Sequence, residues 1–330
     1  MTAPGGGRAG GSRAGAVVGV LSYAAAAALT LVVAVRLVGP SDQPRLVALQ
    51  ALTPYLLVAA YPLTVVGAVR SQRVLTAVGV VLMVAHVAWT VPEIARGRPD
   101  AVPDGAVTVR LVTSNVYEAN PTPERLAAHL LDVDADLVLL QELTPELLDT
   151  FEAAGLTDGY PHRVLDPLPG AQGSGILSRL PLDDGRAFAV AGWPMTTALV
   201  TVGDAEVRVV NVHAAAPLSD ENAARWERQL DELAGARDLG GDHVVLAGDF
   251  NATLQHAPLR GLLDADFREA YREAGRGLGA TWPVGLVPLV GPLIRIDHVF
   301  VTPGLGVADI GLGSGHGSDH RPVVVDLVVE

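Results

Sequence analysis

The chain has 330 residues, 49% of them hydrophobic, no cysteine and a formal net charge of −13; its mean hydropathy is +0.34. So long and so apolar a chain exceeds one ordinary soluble domain, so a membrane portion is expected. The absence of cysteine excludes disulfides and thiolate metal sites, and every basic side chain is Arg, which with the Ala, Gly and Val richness reads as GC-rich coding bias.

A Gly-rich stretch, residues 1–13, opens the chain and is expected to be disordered. Three uncharged runs follow: 22 residues between Arg13 and Arg36, 24 between Arg45 and Arg70, and 19 between Arg73 and Glu93. Each is long enough to cross a hydrocarbon core, which predicts transmembrane helices at about 14–36, 46–69 and 74–92, the second kinked by Pro54 and Pro62. A cleaved signal peptide is the alternative for the first run, since Arg8 and Arg13 precede it, but the apolar residues continue well past the Ala24–Ala28 tract. Residues 96–106, rich in charge, Pro and Gly, form a linker, and a second domain occupies 107–330.

Charge divides unevenly at that linker. Residues 1–98 carry eight Arg against Asp42 and Glu93, whereas residues 99–330 carry 15 Arg against 34 acids. The second domain is therefore strongly acidic and repels a polyphosphate backbone, which disfavours nucleic acid as a partner. Beyond the linker, short β-branched runs alternate with helical segments. Val107–Thr113 reads as a strand, Thr122-Pro123 as a helix start and Leu137–Leu140 as a buried strand, which makes one βαβ unit. Further strands are expected at 175–178, 196–202, 207–212, 244–247, 298–301 and 323–328. Ser219 caps a helix with Ala223, Trp226, Leu230 and Leu233 on one face. The pattern predicts an α/β domain with more than one sheet layer.

Polar residues recur at the ends of these strands: Asn115, Glu142, His213, Asp249 with Asn251, Asp297, and the pair Asp319-His320. Taken singly, an Asp or Asn after a strand is a turn residue and a lone His a satisfied polar group. Such a series of coincidences at strand ends, where α/β proteins place their sites, points to one constellation. Its chemistry suits hydrolysis of a phosphate ester. Carboxylate and amide oxygens suit Mg²⁺, with Mn²⁺ as the alternative, better than Zn²⁺. The two His and the spare Asp residues supply acid and base for a water attacking phosphorus.

The segments TSNV, LQEL, GSGILSRLPL, VNVH, GDFNAT, RIDHVFV and HGSDHRPV occur in the order found in the endonuclease/exonuclease/phosphatase (DNase I-like) superfamily, which residues 107–330 resemble. The resemblance implies a four-layer αββα sandwich of two mixed sheets. It implies that Asn115, Glu142 and Asp319 sit at the metal, that Asp249 activates the water and that Asn251 holds a phosphate oxygen. It further implies that His320, oriented by Asp297, contacts the phosphate or acts as base, with His213 as the acid near the leaving group. Ser174, where many relatives carry Asn, and Arg163 are candidate substrate contacts. Trp282 is expected to pack beneath the site and His316 to line it; His129 and His243 read as structural.

The substrate expected is a phosphodiester or phosphomonoester at the bilayer, with a lipid-linked ester as one candidate, because three spans would hold the site there. An inside N-terminus followed by three spans places the domain outside the cytoplasm, although the flanking Arg counts tie at four a side. The alternatives are an extracytoplasmic nuclease and a non-catalytic membrane scaffold. The scaffold predicts erosion of the constellation, and all of its positions hold competent side chains. A transporter finds no support in spans whose only group titrating near neutrality is His86.

Overall fold

The computed structural model describes residues 9–94, 97–285 and 291–329; part of the expected disordered start and of the linker lies outside them. The N-terminal third is helical: α1 (Ala9–Val38), α2 (Pro44–Ala51), α3 (Thr53–Leu56), a 3₁₀ turn at Leu57–Ala59, α4 (Ala60–Val69) and α5 (Arg73–Ile94). Helix thus begins at Ala9, inside the Gly-rich stretch. Two helices are long and apolar enough to cross a membrane, Ala14–Val38 and Arg73–Ile94. A third crossing exists only if Pro44–Ala51 and Thr53–Val69 count as one span bent by 57°. The break has a local cause: Leu52 caps α2, and Pro54 sits in the first turn of α3, where its missing N–H starts a new helix more readily than it continues an old one.

Leu29, Leu57, Ala60, Leu75 and Leu82 pack inside this bundle, and Gly79 lets α5 lie directly against Thr64 of α4. Large apolar side chains face outward instead, among them Val20, Leu21, Leu31, Val65, Val81 and Val84. That exterior is costly in water and suited to lipid, consistent with membrane anchoring. The far end of the bundle is closed by Arg70 Nη2 donating to Gly15 O (2.6 Å). The near end meets the second domain: Arg36 Nε donates to Gln255 Oε1 (2.7 Å), and Gln255 Nε2 to Glu93 Oε1 (2.5 Å).

The second domain contains β1 (Val107–Asn115), α6 (Pro123–Val133), β2 (Leu137–Gln141), α7 (Pro145–Ala153), β3 (His162–Asp166), β4 (Ser174–Ser178), β5 (Leu182–Val190), β6 (Trp193–Val202) and β7 (Ala205–His213). It continues with α8 (Asp220–Ala234), β8 (His243–Asp249), α9 (Ala257–Asp264), β9 (Arg268–Glu269), α10 (Ala270–Glu273), β10 (Asp297–Val301), β11 (Leu305–Leu312) and β12 (Val323–Val329). They form two six-stranded mixed sheets, ordered β11-β12-β1-β2-β4-β3 and β5-β6-β7-β8-β10-β9. Among the described residues, only β1 with β2 and β7 with β8 pair in parallel.

Three apolar layers hold the sheets and helices together. Leu111, Leu139, Val209, Val245, Val299 and Val325 fill the space between the sheets. Leu126, Leu130, Leu147 and Phe151 of α6 and α7 cover the first sheet; Trp226, Leu230 and Leu259 of α8 and α9 cover the second. The result is the αββα sandwich. Each buried large side chain contributes roughly 1.5–3 kcal/mol of transfer free energy, so the alternation of inward residues sets the stacking. The Ser219 cap expected for α8 is present, its side chain accepting from Asn222 N (3.2 Å).

Topology then determines where chemistry can occur. The C-terminal ends of β1, β2, β7 and β8 all open at one end of the sandwich, and antiparallel β10 begins there, with Asp297 opposite Asp249. Gly248, at φ 146°, lets β8 lie against the Val212 carbonyl of β7, an approach that any Cβ would block.

Candidate active site

Each side chain at this end is presented by a strand terminus. Asn115 closes β1, Glu142 follows β2, His213 closes β7, Asp249 closes β8 and Asp297 opens β10; Asp319 and His320 come from the loop between β11 and β12. Asn115, His213, Asp249, Asp297 and His320 are all buried. Two of the positions are conformationally costly, since Glu142 and Asn251 hold φ of 58° and 48°, a region that favours glycine. Strain of this kind persists where the surroundings over-determine it.

Hydrogen bonds lock the cluster. Asn115 Nδ2 donates to Glu142 Oε1 (3.0 Å) and to Asp249 Oδ2 (3.1 Å), holding two carboxylates side by side. Asn115 Oδ1 accepts from Tyr117 N (3.0 Å), so this amide positions carboxylates and does not offer them its oxygen. Glu142 Oε2 accepts from Glu118 N (2.9 Å). Asn251 donates through its backbone N to Asp249 Oδ1 (2.8 Å) and through Nδ2 to Ala214 O (2.9 Å). His320 Nδ1 meets Asp297 Oδ2 at 2.9 Å, leaving Nε2 facing Asp249 Oδ2 (3.7 Å) and Asp319 Oδ1 (3.9 Å). His213 Nε2 lies 3.8 Å from both Glu142 Oε1 and Asp249 Oδ2.

The two imidazoles are pushed in opposite directions. Burial dominates at His213 and lowers its pKa against the pull of Glu142, so the ring is neutral at pH 7. Burial opposes charge at His320 too, but Asp297 and Asp249 outweigh it and raise the ring to about 10. Burial also pushes the Asp249 carboxyl up to about 7, resisted by His320 and by hydrogen bonds from Asn251 and Asn115. The site therefore contains a proton carrier held by an Asp, a carboxyl balanced near neutrality and a neutral imidazole.

A divalent cation fits this donor set. Asp249, Asp297 and His320 offer ligand atoms within 4.8 Å of one another. Among the described residues, no Arg lies within ion-pair distance of Glu142, Asp249, Asp297 or Asp319, whose only cationic neighbour is His320. With more carboxylates than cations, the oxygen-rich cluster suits a hard ion. Of the residues expected at a metal, Glu142 faces this cluster, whereas Asp319 is on the rim, its side chain 39% exposed, with Oδ2 accepting from Trp282 Nε1 (3.0 Å).

A cleft of about 620 Å³ lies over the cluster, with Glu142, His213, Asp249, Asn251, Asp319 and His320 in its walls. The two candidate substrate contacts lie elsewhere. Ser174 is buried, its Oγ 3.2 Å from Thr196 Oγ1, and the Arg163 guanidinium donates to the Thr157 and Tyr160 carbonyls. Trp282 lines the cleft, while His316 stacks near His129, with ring centroids 4.8 Å apart.

Sequence reasoning missed the layer beneath. Gln141 Nε2 donates to Asn211 Oδ1 (2.6 Å), and Asn211 Nδ2 donates to Leu140 O (2.9 Å) and Gly175 O (3.0 Å). These buried amides tie the two sheets together directly under Asn115 and Glu142. Their signal was a Gln and an Asn inside apolar strands, where an unpaired amide would be costly. Ser318 was missed as well: its Oγ donates to Asn115 O (2.7 Å) and accepts from His320 N (3.0 Å), joining the SDH loop to β1.

Residues 112–320 match the profile of the Endonuclease/Exonuclease/phosphatase family. No curated protein matches the chain. Among solved structures it is similar to an endonuclease/exonuclease/phosphatase from Beutenbergia cavernae, with 21% identity over 67% of this chain and 72% of that one, TM-score 0.52. Another, from Bacteroides vulgatus, is 20% identical over 68% of this chain and 100% of its own, TM-score 0.57. D. rerio TDP2 complexed with single strand DNA product is 15% identical over 67% and 98%, TM-score 0.54. At these identities the structural likeness carries the fold.

Proposed function

Because the chain belongs to the endonuclease/exonuclease/phosphatase family, and is thus a hydrolase acting on phosphate esters, we propose that it hydrolyses a phosphodiester or phosphomonoester at the membrane surface by attack of water on phosphorus. The observation that carries this reading is the buried cluster of Asp249, Asp297 and His320 beside Glu142, at the floor of a cleft. Glu142, beside Asp249 and with Asp319 at the rim, would hold Mg²⁺, which when bound offsets charge on the phosphoryl oxygens and lowers the pKa of a water. Asp249, poised near pH 7, takes a proton from the attacking water. Oxygen–phosphorus bond formation on one side accompanies cleavage of the ester P–O bond on the other. His320, protonated and fixed by Asp297, faces the developing negative charge through Nε2. His213, buried and neutral, donates a hydrogen bond toward the leaving oxygen, which takes its proton from solvent as it departs; Asn251 orients the phosphoryl group and Asp319 would assist the metal.

We place the domain outside the cytoplasm. The ends of α1 and α5 that touch it, at Arg36 and Glu93, lie on one side of the bundle, with Gly15 and Arg70 together at the other, so an inside N-terminus puts the domain outside. A reporter fused after Glu330 that is active only in the cytoplasm overturns the orientation.

The test of the chemistry uses the full chain in lipid nanodiscs, given bis(p-nitrophenyl) phosphate, p-nitrophenyl phosphate and plasmid DNA, with Mg²⁺, Mn²⁺ or EDTA. Metal-dependent turnover that is lost in Asp249→Ala and His320→Ala supports the proposal; turnover insensitive to both substitutions refutes the assigned roles. The likeness to D. rerio TDP2 complexed with single strand DNA product favours a nuclease as the second reading. Cleavage of plasmid in preference to the small esters, with strong inhibition by salt, selects it.

A further inference from the structure

The cleft over the cluster is not built by the second domain alone. Helix α2, which belongs to the N-terminal bundle, supplies Pro44, Arg45, Val47, Ala48 and Ala51 to its wall. This contact is specific. Val47 is buried among the core residues that include Trp226, Leu254 and Leu259. His256 receives the Thr253 N–H at Nδ1 (2.9 Å), so Nε2 carries the proton and donates it to Val47 O (2.9 Å). The tether thus uses a neutral ring with both nitrogens satisfied. On either side of α2 the chain is held again, by Arg36 on Gln255 and by Tyr55, whose hydroxyl donates to the Leu293 carbonyl.

The cleft face of α2 presents Arg45, Ala48 and Ala51 at three-residue spacing, the spacing of one helix face. Trp193, Pro217, Leu218, Ile294 and Ile296 line the same cleft. Leu218 is 85% exposed at the mouth. The cleft therefore has a floor of carboxylates and imidazoles suited to a cation and its phosphate, and mostly apolar sides, one of them continuous with the helices that carry the lipid-suited exterior. The sides also account for a single Arg among the cleft's described residues, Arg45. A nucleic-acid strand would demand more cations, whereas a hydrocarbon chain matches both the lining and its continuity with the bundle.

We propose that α2 is a substrate-binding element, and that the substrate is an amphipathic phosphate ester whose hydrocarbon chain lies between α2 and the Trp193–Leu218 side of the cleft. The proposal rests on the phosphoesterase reading and adds the apolar part of the substrate and the element that selects it. In this arrangement the N-terminal helices do more than tether: they complete the site.

The experiment measures kcat/KM of the full chain in nanodiscs on ethyl, butyl and octyl p-nitrophenyl phosphates, which share the reactive bond and leaving group and differ only in the chain. A methylene fully removed from water is worth about fourfold, so a partly enclosed octyl group is expected to exceed ethyl by at least about tenfold. Ala48→Trp fills the groove, and Ala48→Asp makes it polar; in both, the octyl-to-ethyl ratio is expected to collapse toward one. Ala48 is exposed, so folding tolerates both changes, and retained Trp fluorescence and thermal unfolding check this. Turnover without chain-length preference in the wild type overturns the inference, as does a preference that both variants preserve or a uniform loss on every ester. Absence of turnover on all three esters instead overturns the phosphoesterase reading on which it stands.

Discussion

Replacing Asp297 by Asn keeps the shape beside His320 and removes one charge. The imidazole Nδ1 lies 2.9 Å from Asp297 Oδ2 with both groups buried, and the ring is raised from 6.5 to about 10. At about 1.36 kcal/mol per pKa unit, that rise is worth at most about 5 kcal/mol. Asp297 acts through both charge and a hydrogen bond, Asp249 through charge and Asp319 more weakly, so about half, roughly 2–3 kcal/mol, belongs to Asp297. A group whose folded pKa is raised stabilises fully below its unfolded pKa and loses that contribution as pH rises through the folded one. The variant should therefore be less stable than the wild type by that amount at pH 6.5 and nearly equal to it above pH 10. Urea unfolding of the full chain in detergent with EDTA, followed by Trp fluorescence at both pH values, measures the gap. On the activity side, the alkaline limb of kcat should move to lower pH in the variant. An equal stability loss at pH 6.5 and pH 10 would refute the charge argument and leave only local packing.

Three further outcomes are expected. With Asp249 raised to about 7, a cation held beside it at Glu142 favours its ionised form, so apparent Mn²⁺ affinity should rise by up to about tenfold per pH unit from pH 5 to 7 and then flatten; calorimetry in buffers of different ionisation enthalpy counts the proton. Asn211→Ala strips partners from Leu140 O, Gly175 O and Gln141 and should cost about 3 kcal/mol in urea unfolding; a loss under about 0.5 kcal/mol would mean the sheets hold their spacing without it. His256→Ala leaves the Thr253 N–H and Val47 O without their partners and should speed hydrogen exchange at the α2 amides about fivefold, reflecting a net hydrogen bond of about 1 kcal/mol; unchanged exchange would show that α2 is held by packing alone.

The strands were legible where their side chains are uniformly apolar, as in Leu137–Gln141 and His243–Asp249, because burial on both faces leaves a continuous run. β5 was not, since Leu182–Val190 is largely exposed at a sheet edge and carries Asp183, Asp184 and Arg186. β11 was hidden by its glycines and by the irregularity between Val307 and Asp309. The site was legible for a related reason. Glu142, His213 and Asp249 interrupt apolar runs at the point where a strand leaves the core, so the change from apolar to ionisable marks both the strand end and the chemistry. Gln141 and Asn211 lie one or two residues deeper, where the same amides read as defects in a strand until their partners in the opposite sheet are known.

The segment 46–69 exposes the limit of hydropathy most clearly. Its 24 uncharged residues meet the length requirement for a span, and a count of apolar side chains cannot distinguish burial in lipid from burial against protein. The distinction lies in the breaks and the polar exceptions. Gln50 and Thr53 are buried on either side of Leu52, and Gln50 Nε2 turns back to Val35 O (3.4 Å); with Pro54 they end one helix and start another. The first piece lies against Trp226 and His256 of the catalytic domain and the second runs on through the bundle. A straight helix through 46–69 would have carried Val47 away from that core and left His256 Nε2 without an acceptor. The bend is therefore coupled to the site: the same residues that stop α2 from continuing into a single span leave its Ala48 face standing in the wall of the cleft.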